Sequence, residues 1–116
     1  MTVKGAPLEL HLRLCSAEGP LLGPGKRQLL GHILESKSLA VAARAMGMSY
    51  MRAWTLVQRM NREWRQPLVE LRRGGNSRGG ATVTATGEEI LRLYDEIARA
   101  SRQAARRPLA RLAKFR

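Results

Sequence analysis

Two short stretches of this 116-residue sequence gather side chains that could do chemistry: SYMRAW over residues 49–54 and RRGGNSRGG over residues 72–80. The second invites a phosphate-cradling reading, because glycines let backbone N–H groups approach an anion and arginines neutralise it. A nucleotide-binding P-loop needs Gly, four residues, Gly, then Lys and Ser or Thr opening a helix. Gly74 and Gly79 have that spacing, but Gly80 and Ala81 stand where Lys and Ser/Thr are required, and ATVT after them reads as a strand. The P-loop is excluded. A disordered linker also fits poorly, since regular patterning resumes on both sides. There remains a hairpin tip whose Arg72, Arg73 and Arg78 contact phosphates or enter a narrow minor groove, or a solvated hairpin with incidental charge.

Other chemistries find no footing. A single cysteine, Cys15, excludes an internal disulfide and a cysteine-rich zinc site, and His11 and His32 lack ligand company at metal-binding spacing. No nucleophile–base pair or carboxylate pair emerges, so the expectation is no enzyme, no metal and no cofactor. The charge points elsewhere. Twenty-one Lys and Arg against nine Asp and Glu give a net +12, which a polyanionic partner explains most simply, nucleic acid before an anionic membrane. With 44% apolar residues the chain can build one modest core. No apolar run approaches the roughly 18 residues of a membrane span, and the N-terminal stretch alternates where a signal peptide would be continuously apolar. The expected location is cytoplasmic, with no membrane partner.

The elements that must hold these residues follow from periodicity. LELHLRL, 8–14, alternates with period two and predicts a half-buried strand; SAEGPLLGPG after it predicts a loop. KRQLLGHILE, 26–35, is helical, with Leu29, Leu30, Ile33 and Leu34 on one face. Ser38 can cap a short helix in which Leu39, Ala42, Ala43 and Met46 fall at helical spacing, and Gly47 can end it. Ser49 can cap a second helix with Ala53, Val57, Met60 and Trp64 inward and Arg52, Thr55, Arg59 and Arg62 outward. A short alanine-rich helix, a glycine turn and a longer basic helix make a helix-turn-helix pattern, the alternative being an ordinary helical hairpin. Small residues permit the close crossing; basic and short side chains at the start of the second helix suit the major groove. Gln66 and Pro67 end that helix, and LVELR (68–72) pairs with ATVT (81–84) as a wing.

Thr84 can cap a last helix, with Glu88 and Glu89 in its first turn. There Ile90, Leu93, Ile97 and Ala100 repeat at seam spacing, either packing on the domain itself or pairing with a second copy. No acidic residue follows Glu96, while Arg99, Arg102, Arg106, Arg107, Arg111, Lys114 and Arg116 do; Pro108 should interrupt a helix there, leaving a mobile basic tail over 107–116.

Taken together, GMSYMRAW (47–54), Met60–Asn61, PLVE (67–70), the GG-x3-GG stretch (74–80), T-x-T-G (84–87) and LRLY (91–94) resemble the N-terminal DNA-binding domain of the ModE-type molybdate-responsive regulators, relatives of the LysR-type winged helix. The resemblance runs over most of the chain. It implies a homodimer, with the last helix and N-terminal elements in the dimer contact and each second helix in a major groove of an inverted-repeat site. By the same resemblance Ser49, Tyr50, Met51, Arg52 and Thr55 form the leading face, and Arg72, Arg73, Asn76 and Arg78 decorate the wing. Ser38 and Arg59 complete the DNA-contacting set. Ile90, Leu93, Tyr94, Ile97 and Ala100 form the dimerisation set. Trp54 matches the family without deciding between core and groove.

ModE regulators continue into molybdate-binding domains, and nothing in this sequence resembles one, so molybdate control does not carry over, and a separate sensor protein is left open. The resulting expectation is a mainly α fold with a small β-hairpin: a winged helix-turn-helix with an N-terminal strand and a C-terminal dimerisation helix, over residues 1–106. Its expected role is site-specific regulation of transcription on double-stranded DNA. The alternatives are a sequence-indifferent DNA- or RNA-binding protein and a winged-helix module that binds protein.

Overall fold

The computed structural model describes residue 5 and residues 7–72 and 80–116. The elements run β1 (Leu14–Ser16), β2 (Gly19–Leu22), α1 (Pro24–Ser36), α2 (Leu39–Ala45), α3 (Tyr50–Glu63), β3 (Val69–Arg72), β4 (Gly80–Val83) and α4 (Ala85–Ala113). The chain is mostly helical, with two small antiparallel hairpins, β1–β2 and β3–β4.

The N-terminal strand departs from expectation. Burial alternates through the leucine run, with Leu8, Leu10, Leu12 and Leu14 half-buried and Glu9, His11 and Arg13 exposed. Strand pairing nevertheless starts only at Leu14, and the partner strand comes from GPLL, inside the stretch expected as a loop. The cause is a reversal just after Ser16, closed by Gly19 at φ 133°, so only the end of the alternating run meets a partner. Upstream, Leu12 packs on the core, and the Tyr94 hydroxyl donates to its carbonyl over 2.7 Å. Burial pushes the Tyr94 phenol upward, which keeps that donor proton in place at neutral pH.

Helix α1 starts two residues earlier than its apolar periodicity, because Pro24 in the first turn presets the helical φ and loses no intrahelical bond. Leu29, Leu30 and Ile33 are buried, while Leu34 is left 41% exposed. Lys37 ends the helix in the left-handed region at φ 56°, and its carbonyl accepts the Ala81 N–H at 3.1 Å, tying the α1–α2 corner to β4.

The α2–α3 pair forms as its caps dictate. The Ser38 and Ser49 hydroxyl oxygens accept from the N–H groups of Val41 and Arg52, each at 3.1 Å. Gly47 takes φ 66°, and the Met48 and Gly47 N–H groups return to the Ala43 and Arg44 carbonyls, closing a Schellman turn. Ala42, Ala43, Ala53, Val57 and Met60 are buried; Trp64 is only half-buried and closes α3 as its C-cap.

Asn61 attaches the β3–β4 hairpin to α3. Its side-chain oxygen accepts from the Leu68 and Val69 N–H groups at 2.8 and 3.2 Å, and its amide donates to the Val69 carbonyl at 2.9 Å. At the hairpin's other foot, Thr84 accepts from the Gly87 N–H at 3.0 Å as the N-cap of α4 and donates its hydroxyl to the Pro67 carbonyl at 2.7 Å.

Two expectations for α4 are corrected. The helix does not stop at Pro108 but continues to Ala113, so residues 107–113 are helical rather than a separate tail. Proline there removes one bond, to the Ala104 carbonyl. Ala104 is exposed, so water can serve that carbonyl, and the flanking alanines favour helix. Tyr94, expected with the seam, instead faces the core with Leu91 and Ala98; all three are buried.

Arg27 of α1 and Asp95 of α4 make a two-point ion pair at 2.7 and 2.9 Å. The Arg27 hydrogen bond holds the Asp95 carboxyl below the usual carboxylate range, outweighing the opposing effect of burial. A depressed folded pKa stabilises above the unfolded value and loses that contribution as pH falls through the folded one. Asp95→Asn is therefore expected to cost about 1 kcal/mol or less at pH 7, given the half-exposed pair. The deficit should shrink in acid as pH falls through the depressed folded pKa of Asp95, and vanish once both proteins carry a neutral side chain. Thermal melts of both proteins from pH 7 to pH 2.5 check this; a deficit constant with pH would show that the pair contributes nothing through its charge.

Candidate nucleic-acid interface

The exposed face of α3 is set by helix geometry: with Ala53, Val57 and Met60 inward, residues 51, 52, 55 and 59 must turn outward. Met51 is 62% and Tyr50 41% exposed, unusual for large apolar and aromatic side chains. Ser49, Arg52, Thr55 and Arg59 are exposed as well. Met51, Arg52, Thr55, Leu56 and Arg59 line a shallow hollow of about 290 Å³. No acidic residue lies from Ser49 through Arg62, so this face is uniformly cationic or neutral.

The individual groups have defined hydrogen-bonding capacity. Thr55 donates its hydroxyl proton to the Met51 carbonyl at 2.9 Å, leaving its oxygen as an acceptor and its methyl for apolar contact. Arg52 and Arg59 take part in no ion pair among the described residues, so their guanidinium donors are free for base edges or phosphates. Trp54 is half-buried and packs on the core cluster, so it belongs to the core rather than to this face.

Ser38 lies at the other side of the arrangement. It bridges to Gly80 at the start of β4 while capping α2, so one lone pair of its hydroxyl oxygen is already engaged, while its proton remains available to a ligand. Arg72 is exposed at the last pair of the β3–β4 ladder, opposite Gly80. Arg73, Asn76 and Arg78 lie outside the described residues. The structure thus brings Met51, Arg52, Thr55 and Arg59 together on one face of α3, with Ser49 capping its start and Tyr50 exposed on its first turn, and sets Ser38 beside the hairpin that carries Arg72.

On α4 the seam residues divide. Leu93 and Ile97 are 42% and 43% exposed and Ala100 is exposed, whereas Ile90 is half-buried against the core. Sequence reasoning missed Leu56 in the hollow and the positioning residues Asn61 and Gly87, although Asn61 was visible as a polar residue beside a core methionine. Among the described residues, no group of three or more His, Cys, Asp or Glu side chains is placed to hold a metal ion. Among the described residues, no helix is long and apolar enough to cross a membrane.

No family model matches the chain. Among curated proteins it is similar to the molybdenum-pterin-binding protein MopA of Rhodobacter capsulatus, 39% identical over 85 residues, which are 73% of this chain and 32% of the relative. It is 37% identical over 96 residues to the DNA-binding transcriptional dual regulator ModE of Escherichia coli, covering 83% of this chain and 37% of that one. The transcriptional regulator ModE of Haemophilus influenzae is 31% identical over 96 residues, covering 83% of this chain and 38% of its own. The chain spans about a third of the length of these relatives. It is ModE-like over that stretch, and the relatives are named as regulators and molybdenum-pterin-binding proteins, not as enzymes.

Proposed function

We propose, on the premise of that likeness to ModE regulators, that the chain is a winged helix-turn-helix domain that binds duplex DNA site-specifically, as a homodimer, and regulates transcription. The observation that carries the reading is the acid-free leading face of α3, held outward by two satisfied serine caps and the Gly47 turn. In this reading α3 enters the major groove, where Arg52 donates to guanine, Thr55 meets a thymine methyl or an adenine amino group, and Met51 fills apolar space between them. Ser38, Arg59 and Arg72 contact phosphates and fix the register, and β3–β4 is the wing. Two copies joined through Leu93, Ile97 and Ala100 of α4 would place two reading helices on an inverted repeat.

The reading is tested by sequencing genomic DNA fragments retained by the purified protein at about physiological salt, with and without molybdate. An enriched inverted repeat supports it, and the neighbouring genes name the pathway. Uniform retention would replace it with sequence-indifferent binding, and no retention with a protein partner. A molybdate effect on retention would place sensing within this chain.

Within this frame Arg52→Ala is expected to lower discrimination between the preferred site and single-base variants by about 1–3 kcal/mol, on the order of ten- to a hundredfold. Arg72→Ala should instead weaken all duplexes alike and reduce the log–log salt slope by about 0.9, the signature of one lost phosphate contact. Fluorescence anisotropy titrations over a salt series separate the two; equal effects of both substitutions on all sequences would remove α3 from base readout.

A further inference from the structure

Beyond Glu96 the sequence holds no carboxylate, while Arg99, Arg102, Arg106, Arg107, Arg111 and Lys114 follow along α4 and its C-cap. All six are exposed, and none joins an ion pair among the described residues. At 3.6 residues per turn, Arg99, Arg102, Arg106, Arg107 and Lys114 fall within about 140° of arc. Because the helix runs unbroken past Pro108, these charges are a fixed array and not a loose cluster; from Arg99 to Lys114 it extends about 22 Å at 1.5 Å per residue. Mutual repulsion along such an array costs stability unless a partner of opposite charge offsets it. None of these residues lines the hollow on α3.

We propose that this arc of α4 is a second nucleic-acid surface, taking the phosphate backbone of duplex DNA independently of the reading face of α3. The inference rests on the DNA-binding reading and extends it to a part of the chain that aligns no base-reading residue. A duplex carries about one charge per 1.7 Å of axis, so a 22 Å array faces on the order of a dozen phosphates. Four of the arc's five cations are arginine, whose forked donors match phosphate oxygens two at a time. An anionic lipid surface fits less well. The apolar positions here are mostly alanine, and Leu109, one of the few large ones, is half-buried in a groove lined by residues 7–11 of the N-terminal segment. Leu112 and Phe115 alone offer little area to seat a helix in lipid.

The test is the full chain carrying Arg99→Gln, Arg106→Gln, Arg107→Gln and Lys114→Gln, with helix content checked by circular dichroism. A companion carries Lys at the three arginine positions, keeping charge. Binding to a preferred and an unrelated 25-base-pair duplex is followed from about 50 to 200 mM salt. The Gln variant is expected to lose about 2–4 from the log–log slope, at about 0.9 per contact, and at least tenfold in affinity for both duplexes, with their ratio unchanged. The Lys variant should keep the wild-type slope. An unchanged slope in the Gln variant overturns the inference alone. So does a variant whose only loss is retention on phosphatidylserine vesicles or on an acidic polyglutamate peptide. Failure of the wild-type protein to bind either duplex would overturn the reading of α3 as well.

Discussion

Gly87→Ala is expected to destabilise the fold by about 3 kcal/mol or more, lowering the midpoint of thermal unfolding by roughly 12 °C or beyond for a chain of this size. A methyl group added at Gly87 would collide with the Leu68 backbone carbonyl and lie 2.7 Å from Cγ1 of Val83. The carbonyl is not free to yield: it already accepts the Thr84 N–H at 2.9 Å, and the Leu68 N–H is held by Asn61 at 2.8 Å. Val83 pairs with Val69 in the β3–β4 ladder and is itself buried, so moving it disturbs the hairpin. Alanine's better helix propensity returns only about 1 kcal/mol. The collision also sits where α4 is fastened to the hairpin, so Arg72 should be displaced with it and duplex binding should weaken in parallel. Calorimetry and duplex titration of the same variant check both; a midpoint within about 3 °C of wild type would mean that α4 can slide along the hairpin, and the tight attachment described above would be wrong.

The same attachment explains what could be read in the sequence and what could not. Serine caps, the Gly47 turn and the inward stripe of α3 are local matters, each decided by residues within a few positions, and all were legible. The role of Asn61 was not, because its partners Leu68 and Val69 lie across a turn whose geometry the sequence does not state. Period two in LELHLRL correctly announced alternating burial but could not say that only Leu14 would pair with a strand, while the Leu12 carbonyl meets Tyr94 of α4. Pro108 misled for a similar reason: its cost is real, but an exposed carbonyl at Ala104 makes it bearable, and exposure is a tertiary property. On α4 a single periodic stripe was visible where two exist. Leu91, Tyr94 and Ala98 face the core, and Leu93, Ile97 and Ala100 turn roughly a quarter to a half turn away from them. Leucine, isoleucine and alanine occur on both, so only packing tells them apart.

That division makes the proposed dimer contact testable without damage to the domain. Leu93→Glu with Ile97→Glu is expected to leave the fold nearly unchanged, since both side chains are more than 40% exposed and contribute little to the core. In a dimer joined through this seam the same pair of carboxylates would be buried against the partner's apolar stripe, costing several kcal/mol at each copy. The variant should therefore sediment as a monomer at concentrations where the wild type is dimeric. Its affinity for an inverted repeat should fall by about 10²-fold or more, because the second half-site no longer benefits from the high effective concentration that linkage to the first provides. Affinity for an isolated half-site should hardly move, as α3 and the hairpin are untouched. Sedimentation velocity, melting and titrations on whole and half sites give the four readouts. A variant that stays dimeric would move the contact off this face of α4, whereas a monomeric variant that still binds the full repeat with undiminished affinity would show that each domain reads its site alone.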